Sequence, residues 1–298
     1  MIEAQGLTKR YGRTDAARDV TFTAAPGRVT GFLGSNGSGK TTTLRMLLGL
    51  TRPTAGQALV NGQRYRDLTH PLRQVGAVLE QGLMHPGQTG RGHLRTQSLL
   101  CGAGRERVED LLEYVGLADA ASQRAGDYSL GMRQRLAVAT ALLGRPSVLV
   151  LDEPANGLDP SGMAWLRGLL REHADSGGTV LISSHLLSEL ELLIDDVVII
   201  AGGQVRLAAP LAAIAGDQAG HLRVRGRDPV PLRQAFEQTG AAVSADGPVL
   251  FVSGLGAEDA GEIALRLGIA IYELTAVVPS LEQTFLDLAG AEGQAGAA

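Results

Sequence analysis

The sequence predicts an α/β protein organised around a parallel sheet, followed by a smaller α+β domain. Three observations carry that prediction. Short, unbroken apolar runs recur up to residue 201 and alternate with helix-patterned segments, as strands buried on both faces do. A glycine-rich loop separates one such run, Val29–Leu33, from a helical stretch, Thr41–Leu50. After Pro210 the composition shifts and the order becomes βαββαβ with a closing helix, a split-βαβ pattern.

Taken in order, Ile2–Leu7, Val20–Ala24, Val29–Leu33 and Gln57–Val60 read as β runs, and Val75–Leu79 as another. Residues 90–125 change character, with Val108, Leu111, Leu112, Val115 and Leu117 at helical spacing. A helix over Arg133–Leu143, the apolar strand Val148–Leu151, a helix over Met163–Ala174, the strand Thr179–Ser183 and the strand Val197–Ala201 follow. Residues 214–220, with Gly216 and Gly220, read as a linker. Beyond it stand the strand Leu222–Arg225, a helix over Pro231–Thr239, the strands Ala242–Ser244 and Val249–Ser253, a helix over Glu258–Leu267 and the strand Ile269–Leu274. A helix from Leu281 to Leu288 and a small, polar tail over residues 291–298 complete the chain.

The loop reads Gly34-Ser35-Asn36-Gly37-Ser38-Gly39-Lys40-Thr41, the G-x-x-x-x-G-K-[ST] pattern that cradles phosphates. Only two of the 27 basic residues are lysines, Lys9 and Lys40. A chain that uses arginine almost everywhere thus keeps a lysine here, where a compact ammonium fits among phosphate oxygens and a planar guanidinium does not. The glycines turn backbone N–H groups inward, and the helix behind adds the positive end of its dipole. Thr41 supplies a hydroxyl for Mg²⁺.

Bulk properties narrow the field. With 298 residues and 44% hydrophobic content the chain is long enough for about two domains. A net charge of −4 with scattered positive residues gives no nucleic-acid or anionic-membrane footprint. Cys101 is the single cysteine, which excludes an internal disulfide and fits a reducing, cytoplasmic compartment. No apolar stretch nears the ~20 residues needed to cross a bilayer, so the expectation is a soluble protein that meets membranes only through a partner.

Val148-Leu149-Val150-Leu151-Asp152-Glu153 is a buried strand ending in two acids. In a parallel sheet that end faces the ligand. Asp152 would hold the Mg²⁺ shell and Glu153 would polarise a water for attack on a γ-phosphate. Tyr128-Ser129-Leu130-Gly131-Met132-Arg133-Gln134-Arg135 precedes the pair; Gly157-Leu158-Asp159-Pro160 and Ser183-Ser184-His185 follow it. Singly these segments are a helix cap, a helix entry and a loop histidine. Their order is what carries information.

In that order the motifs resemble the nucleotide-binding subunit of an ABC transporter over about residues 1–210. The resemblance implies a P-loop NTPase (ABC ATPase) core with a parallel sheet, an antiparallel β subdomain and a helical insert at about 85–140. On this reading residues 1–213 are the ATP-binding domain and residues 221–290 a C-terminal accessory domain. Two subunits would pack head to tail and sandwich two ATP molecules with Mg²⁺. Tyr11 matches the aromatic that stacks on adenine; Gly34, Ser35, Asn36, Gly37, Ser38, Gly39, Lys40, Thr41 and Thr42 wrap the phosphates. Thr41, Asp152 and Glu80 match the metal-binding positions; Glu153, His185 and Glu80 the catalytic ones. Ser129, Leu130, Gly131 and Met132 match the LSGGQ element that meets the opposite subunit's ATP, and Asp159 lies on the loop linking the two sites.

Departures from the family pattern matter. Leu130 and Met132 replace glycine and glutamine of the LSGGQ element, and Glu80 stands at the usual glutamine, with Gln81 beside it able to serve if the register slips. These features, with Asn-Gly-Leu-Asp-Pro, His-Leu-Leu-Ser-Glu and the C-terminal Pro279–Leu286, are similar to ABC-2-type and daunorubicin-exporter-like ATPases. The implied partners are a second, identical subunit and a transmembrane permease carrying a drug, antibiotic or lipid-like cargo. Residues 281–288 read equally as an ordinary amphipathic helix. Two other classes compete: a soluble ABC-type ATPase of translation or repair, which would carry two cassettes or long coiled-coil insertions, and a P-loop kinase or GTPase, for which the Asp-Glu pair and Ser129 have no task.

Overall fold

The computed structural model describes residues 1–79, 84–185, 190–217 and 221–277. Contacts divide the chain into two compact units, one holding Met1–Leu211 and the other beginning at Ala212.

In the first unit, β1 (Ile2–Tyr11), β2 (Thr14–Ala24) and β4 (Ala55–Val60) form an antiparallel sheet in the order β2-β1-β4. A six-stranded sheet has the order β5-β6-β7-β3-β8-β9. Its strands are β3 (Arg28–Leu33), β5 (Val75–Val78), β6 (Val148–Asp152), β7 (Thr179–Ser184), β8 (Asp196–Ala201) and β9 (Gln204–Pro210). All neighbours are parallel except β8 and β9. The burial pattern follows the sequence. Val148–Leu151 is buried throughout, and such unbroken runs belong between two covered faces.

A core of Ile2, Leu7, Val20, Phe22, Phe32, Leu44, Leu47 and Val150 joins the two sheets and α1 (Lys40–Leu47). The rings of Phe22 and Phe32 stack at 5.1 Å between centroids. Removing a side chain of Phe32's size from water contributes about 2–3 kcal/mol. The helical segment consists of α3 (Gly90–Cys101), α4 (Arg105–Tyr114) and α5 (Leu130–Leu142). The predicted stripe Val108, Leu111, Leu112, Val115 and Leu117 is buried. The short α2 (Pro71–Gln74) leads into β5, and α6 (Pro160–Asp175) lies between β6 and β7.

Several boundaries differ from the sequence reading, each for a physical reason. α5 begins at Leu130 rather than Arg133 because the Ser129 hydroxyl accepts the Met132 N–H at 3.2 Å. α6 begins at Pro160 rather than Met163, since Asp159 accepts the Gly162 N–H at 2.7 Å and proline suits the first helical position. Strand β9 is absent from the sequence reading; it alternates polar residues at a sheet edge and returns from β8 through Gly202-Gly203, both at positive φ. Residues 214–220, read as linker, are helical as far as Asp217 within α7 (Leu211–Asp217). The run Leu211-Ala212-Ala213-Ile214-Ala215 favours helix strongly enough to carry Gly216.

The second unit contains β10 (His221–Gly226), α8 (Pro229–Gln238), β11 (Ala242–Asp246), β12 (Val249–Ser253), α9 (Ala257–Leu267) and β13 (Ile271–Val277). Its sheet order is β11-β12-β10-β13, antiparallel at every pairing, the arrangement that a split βαβ pattern requires. Leu222, Val224, Leu232, Phe236, Val252 and Ile263 form its own core. Glu80, Gln81, the predicted helix Leu281–Leu288 and the tail lie outside the described residues.

Candidate functional site

The parallel sheet brings three chemistry-bearing segments to one edge. Strands β6, β7 and β3 are neighbours, so the residues after each C-terminal end share a rim. The loop Gly34–Gly39 follows β3, Glu153 follows β6 and His185 follows β7. Gly39 precedes α1 with φ 103, a conformation closed to residues with a Cβ, and a Cβ there would run into the Ala16 carbonyl oxygen. Only 5% of Lys40 is exposed. Its Nζ donates to the carbonyl oxygens of Gly34 (2.7 Å) and Ser35 (3.2 Å), so the ammonium is held inside the ring of its own loop. A cavity of about 180 Å³ opens here, lined by Asn36, Gly37, Gly39, Lys40, Thr42 and Glu153 among others. A larger cavity of about 330 Å³ beside Tyr65 contains none of this chemistry.

The two acids are fixed differently. Asp152 accepts the Thr41 hydroxyl at 2.8 Å and the Ser183 hydroxyl through its other oxygen. Glu153 leaves the strand with φ 48, in the left-handed region. Its N–H donates to Ser183 Oγ at 3.0 Å, and its carboxylate meets Asn156 Nδ2 (2.6 Å), His185 Nδ1 (2.9 Å) and Lys40 Nζ (3.6 Å). Burial alone would push this carboxyl upward. The Asn156 hydrogen bond and the His185 and Lys40 charges outweigh it and hold Glu153 below the usual carboxylate range.

The structure therefore gathers Lys40, Thr41, Asp152, Glu153 and His185. Ser129, Leu130, Gly131, Met132 and Asp159 do not line the Lys40 cavity. They form a second locus, where the start of α5 packs on the turn before α6. Ser129 is exposed there, at a helix N-terminus. Asp159 is held below its ordinary value by the Gly162 N–H and the Ser161 hydroxyl. Tyr11 is 51% exposed near the β1–β2 turn, with the Lys9 ammonium 4.9 Å over its ring. Sequence reasoning assigned no role to Ser183 or Asn156. The signal for Ser183 was its place at the end of β7, opposite Asp152 in the parallel register. Asn156 is three residues beyond Glu153, within reach of a one-turn hydrogen bond.

Known proteins resemble this chain in sequence and in fold. Residues 17–156 match the family model described as ABC transporter, and residues 220–282 match one described as a domain of unknown function (DUF8746). The bacitracin transport ATP-binding protein BcrA of Bacillus licheniformis is 35% identical over 298 residues, covering 97% of each chain. The Nod factor export ATP-binding protein I of Burkholderia orbicola is 35% identical over 301 residues, covering 98% of each. The lantibiotic transport ATP-binding protein SrtF of Streptococcus pyogenes is 34% identical over 209 residues, 70% of this chain and 90% of the relative. Among solved structures, the ATP-binding subunit of an ABC transporter superposes with TM-score 0.66 at 29% identity, over 73% of this chain and 92% of that one. A dimeric cassette bound to ADP and Pi shares the fold with TM-score 0.61 at 24% identity, over 71% of this chain and 99% of that one.

The chain belongs to the ABC transporter family, as an ATP-binding subunit. It is an ATPase with an α/β P-loop NTPase fold.

Proposed function

We propose that two copies of this subunit close head to tail on two ATP molecules with Mg²⁺, and that the cycle drives a separate membrane permease exporting an antibiotic-like or lipid-like compound. The observation that carries the reading is the meeting of Lys40 with Glu153 and of Thr41 with Asp152 at one sheet edge. On this reading the loop from Gly34 to Thr42 holds the triphosphate, and Lys40, already desolvated, offers a charge-assisted hydrogen bond. Thr41 and Asp152 place a hydroxyl and a carboxylate together, the hard oxygen donors that suit Mg²⁺ when phosphates and waters supply the rest. That ion would neutralise charge developing on the phosphates.

Glu153, kept ionised, accepts the proton of an attacking water, and His185 faces the terminal phosphate. Tyr11 stacks on the base. Ser129, Gly131 and neighbouring Leu130 and Met132 present a helix N-terminus to the opposite copy's nucleotide, with Asp159 between the sites. Glu80, or Gln81 in a shifted register, would complete the metal and water contacts. Residues 1–213 would act as the ATP-binding domain, with the helical insert at about 85–140, and residues 221–290 as an accessory domain.

Export as the purpose is supported by relatives whose names specify bacitracin and lantibiotic transport and Nod factor export. No helix among the described residues is long and apolar enough to cross a membrane, which suits a subunit that relies on a permease. The test is Glu153→Gln. ATP binding should persist, hydrolysis should slow by about 10²-fold, and light scattering should show a trapped dimer with ATP and Mg²⁺. Turnover at the normal rate would remove Glu153 from its assigned role; a protein that stays monomeric, even beside its permease, would end the reading.

A further inference from the structure

We propose that Asn156 is a positioning residue that orients the Glu153 carboxylate, and that Leu130, seated over Gly157, holds the turn that carries it. The proposal rests on the reading of Glu153 as the group that activates water. Glu153 has already left β6, in a left-handed backbone conformation, so strand pairing does not aim its side chain. Of its three side-chain partners among the described residues, Asn156 is the nearest, at 2.6 Å. The other two, His185 and Lys40, are cations or potential cations with phosphate to attend to once nucleotide enters. Asn156 Nδ2 is neutral and comes from the same turn, so its hydrogen bond survives that exchange.

The turn itself is braced. The Asn156 N–H bonds to the Glu153 carbonyl at 3.3 Å, and the Leu158 N–H to that of Ala155 at 3.1 Å. Gly157 has φ 77, and a Cβ on it would fall 2.6 Å from Leu130 Cγ, inside the leucine side chain. A Cβ on Gly131 would lie 3.7 Å from Leu158 Cδ2, so the first residues of α5 rest directly on this turn. Leu130 occupies a position where the LSGGQ pattern has glycine. Glycine there would leave the space over Gly157 empty, and the turn would lose its brace.

The experiment is single-turnover hydrolysis by the full chain, with ATP affinity measured in parallel. Asn156→Ala should lower the hydrolysis rate by about tenfold or more while ATP affinity stays within about twofold. In the Glu153→Gln background the same change should add less than about twofold, because a residue acting through Glu153 has nothing left to orient. Gly157→Ala, strained at φ 77 and driven into Leu130, should slow hydrolysis similarly, and Leu130→Ala alone, which empties the space over Gly157, should slow it as well. Normal hydrolysis in Asn156→Ala beside a slow Glu153→Gln overturns the positioning role alone. Normal hydrolysis in Glu153→Gln overturns the base assignment and, with it, any action of Asn156 through that carboxylate. Equal losses from Asn156→Ala in both backgrounds also refute the proposal, and an unaffected Leu130→Ala refutes the brace.

Discussion

Replacing Ser183 with alanine deletes one hydroxyl, and that hydroxyl touches both acids of the site. It is fully buried, donates to an oxygen of Asp152 and accepts the Glu153 N–H at 3.0 Å. A hydrogen bond to a charged group is worth about 1.5–3 kcal/mol net, and an orphaned buried N–H costs about 1–3 kcal/mol. Asp152 keeps Thr41 at 2.8 Å, so the losses do not add in full. The expected destabilisation is roughly 3 kcal/mol. Equilibrium urea unfolding reads it as a lower midpoint at unchanged slope. Hydrolysis should fall as well, since both acids lose a fixed partner. A destabilisation below about 1 kcal/mol would refute the reasoning, because it would mean that the hydroxyl's bonds are replaced at no cost.

Three further outcomes follow from the same geometry. Lys40→Ala should weaken ATP binding by roughly 10- to 150-fold, the worth of one charge-assisted hydrogen bond, as measured by calorimetric titration. Ser129→Ala removes a cap worth about 1 kcal/mol and should impair nucleotide-driven dimer formation, read by sedimentation of Glu153→Gln chains, while single-chain ATP affinity holds. Burial holds His93 and His173 below their ordinary value of 6.5, so the unfolded chain takes up protons before the folded one does. Their contribution to stability is therefore complete above that pH and is lost as pH falls below it. Urea midpoints should drop between about pH 7.5 and pH 5.5, and His93→Gln with His173→Gln should flatten that slope.

Residues whose role is written in local pattern were legible. Lys40 stands out in a chain of arginines, and the apolar run into Asp152-Glu153 announces a strand buried on both faces. The C-terminal unit was readable as βαββαβ because its helices and strands differ clearly in period. Less legible was whatever depends on pairing. Strand β9 alternates polar residues and gains its identity only from β8 beside it. The extension of β1 through Tyr11 likewise comes from pairing with Thr14–Ala17 across a tight turn. Ser183 and Asn156 are small polar residues of the kind that fill turns everywhere; only neighbouring chain shows that each holds an acid. Leu130 looked like a departure from a motif until Gly157 appeared beneath it.

The alignment of Asp152 with Ser183 across β6 and β7 has an implication for how this fold tolerates change. Side chains along a strand point alternately up and down, so a shift by one residue in either strand would turn its whole complement over. Ile182 or Ser184 would then stand opposite the aspartate, and apolar residues between helices would face the wrong layer. Deleting a single residue from the middle of β7 should thus silence the site and unseat the interior together. Chemistry and folding share one frame of reading here, and neither can drift without the other.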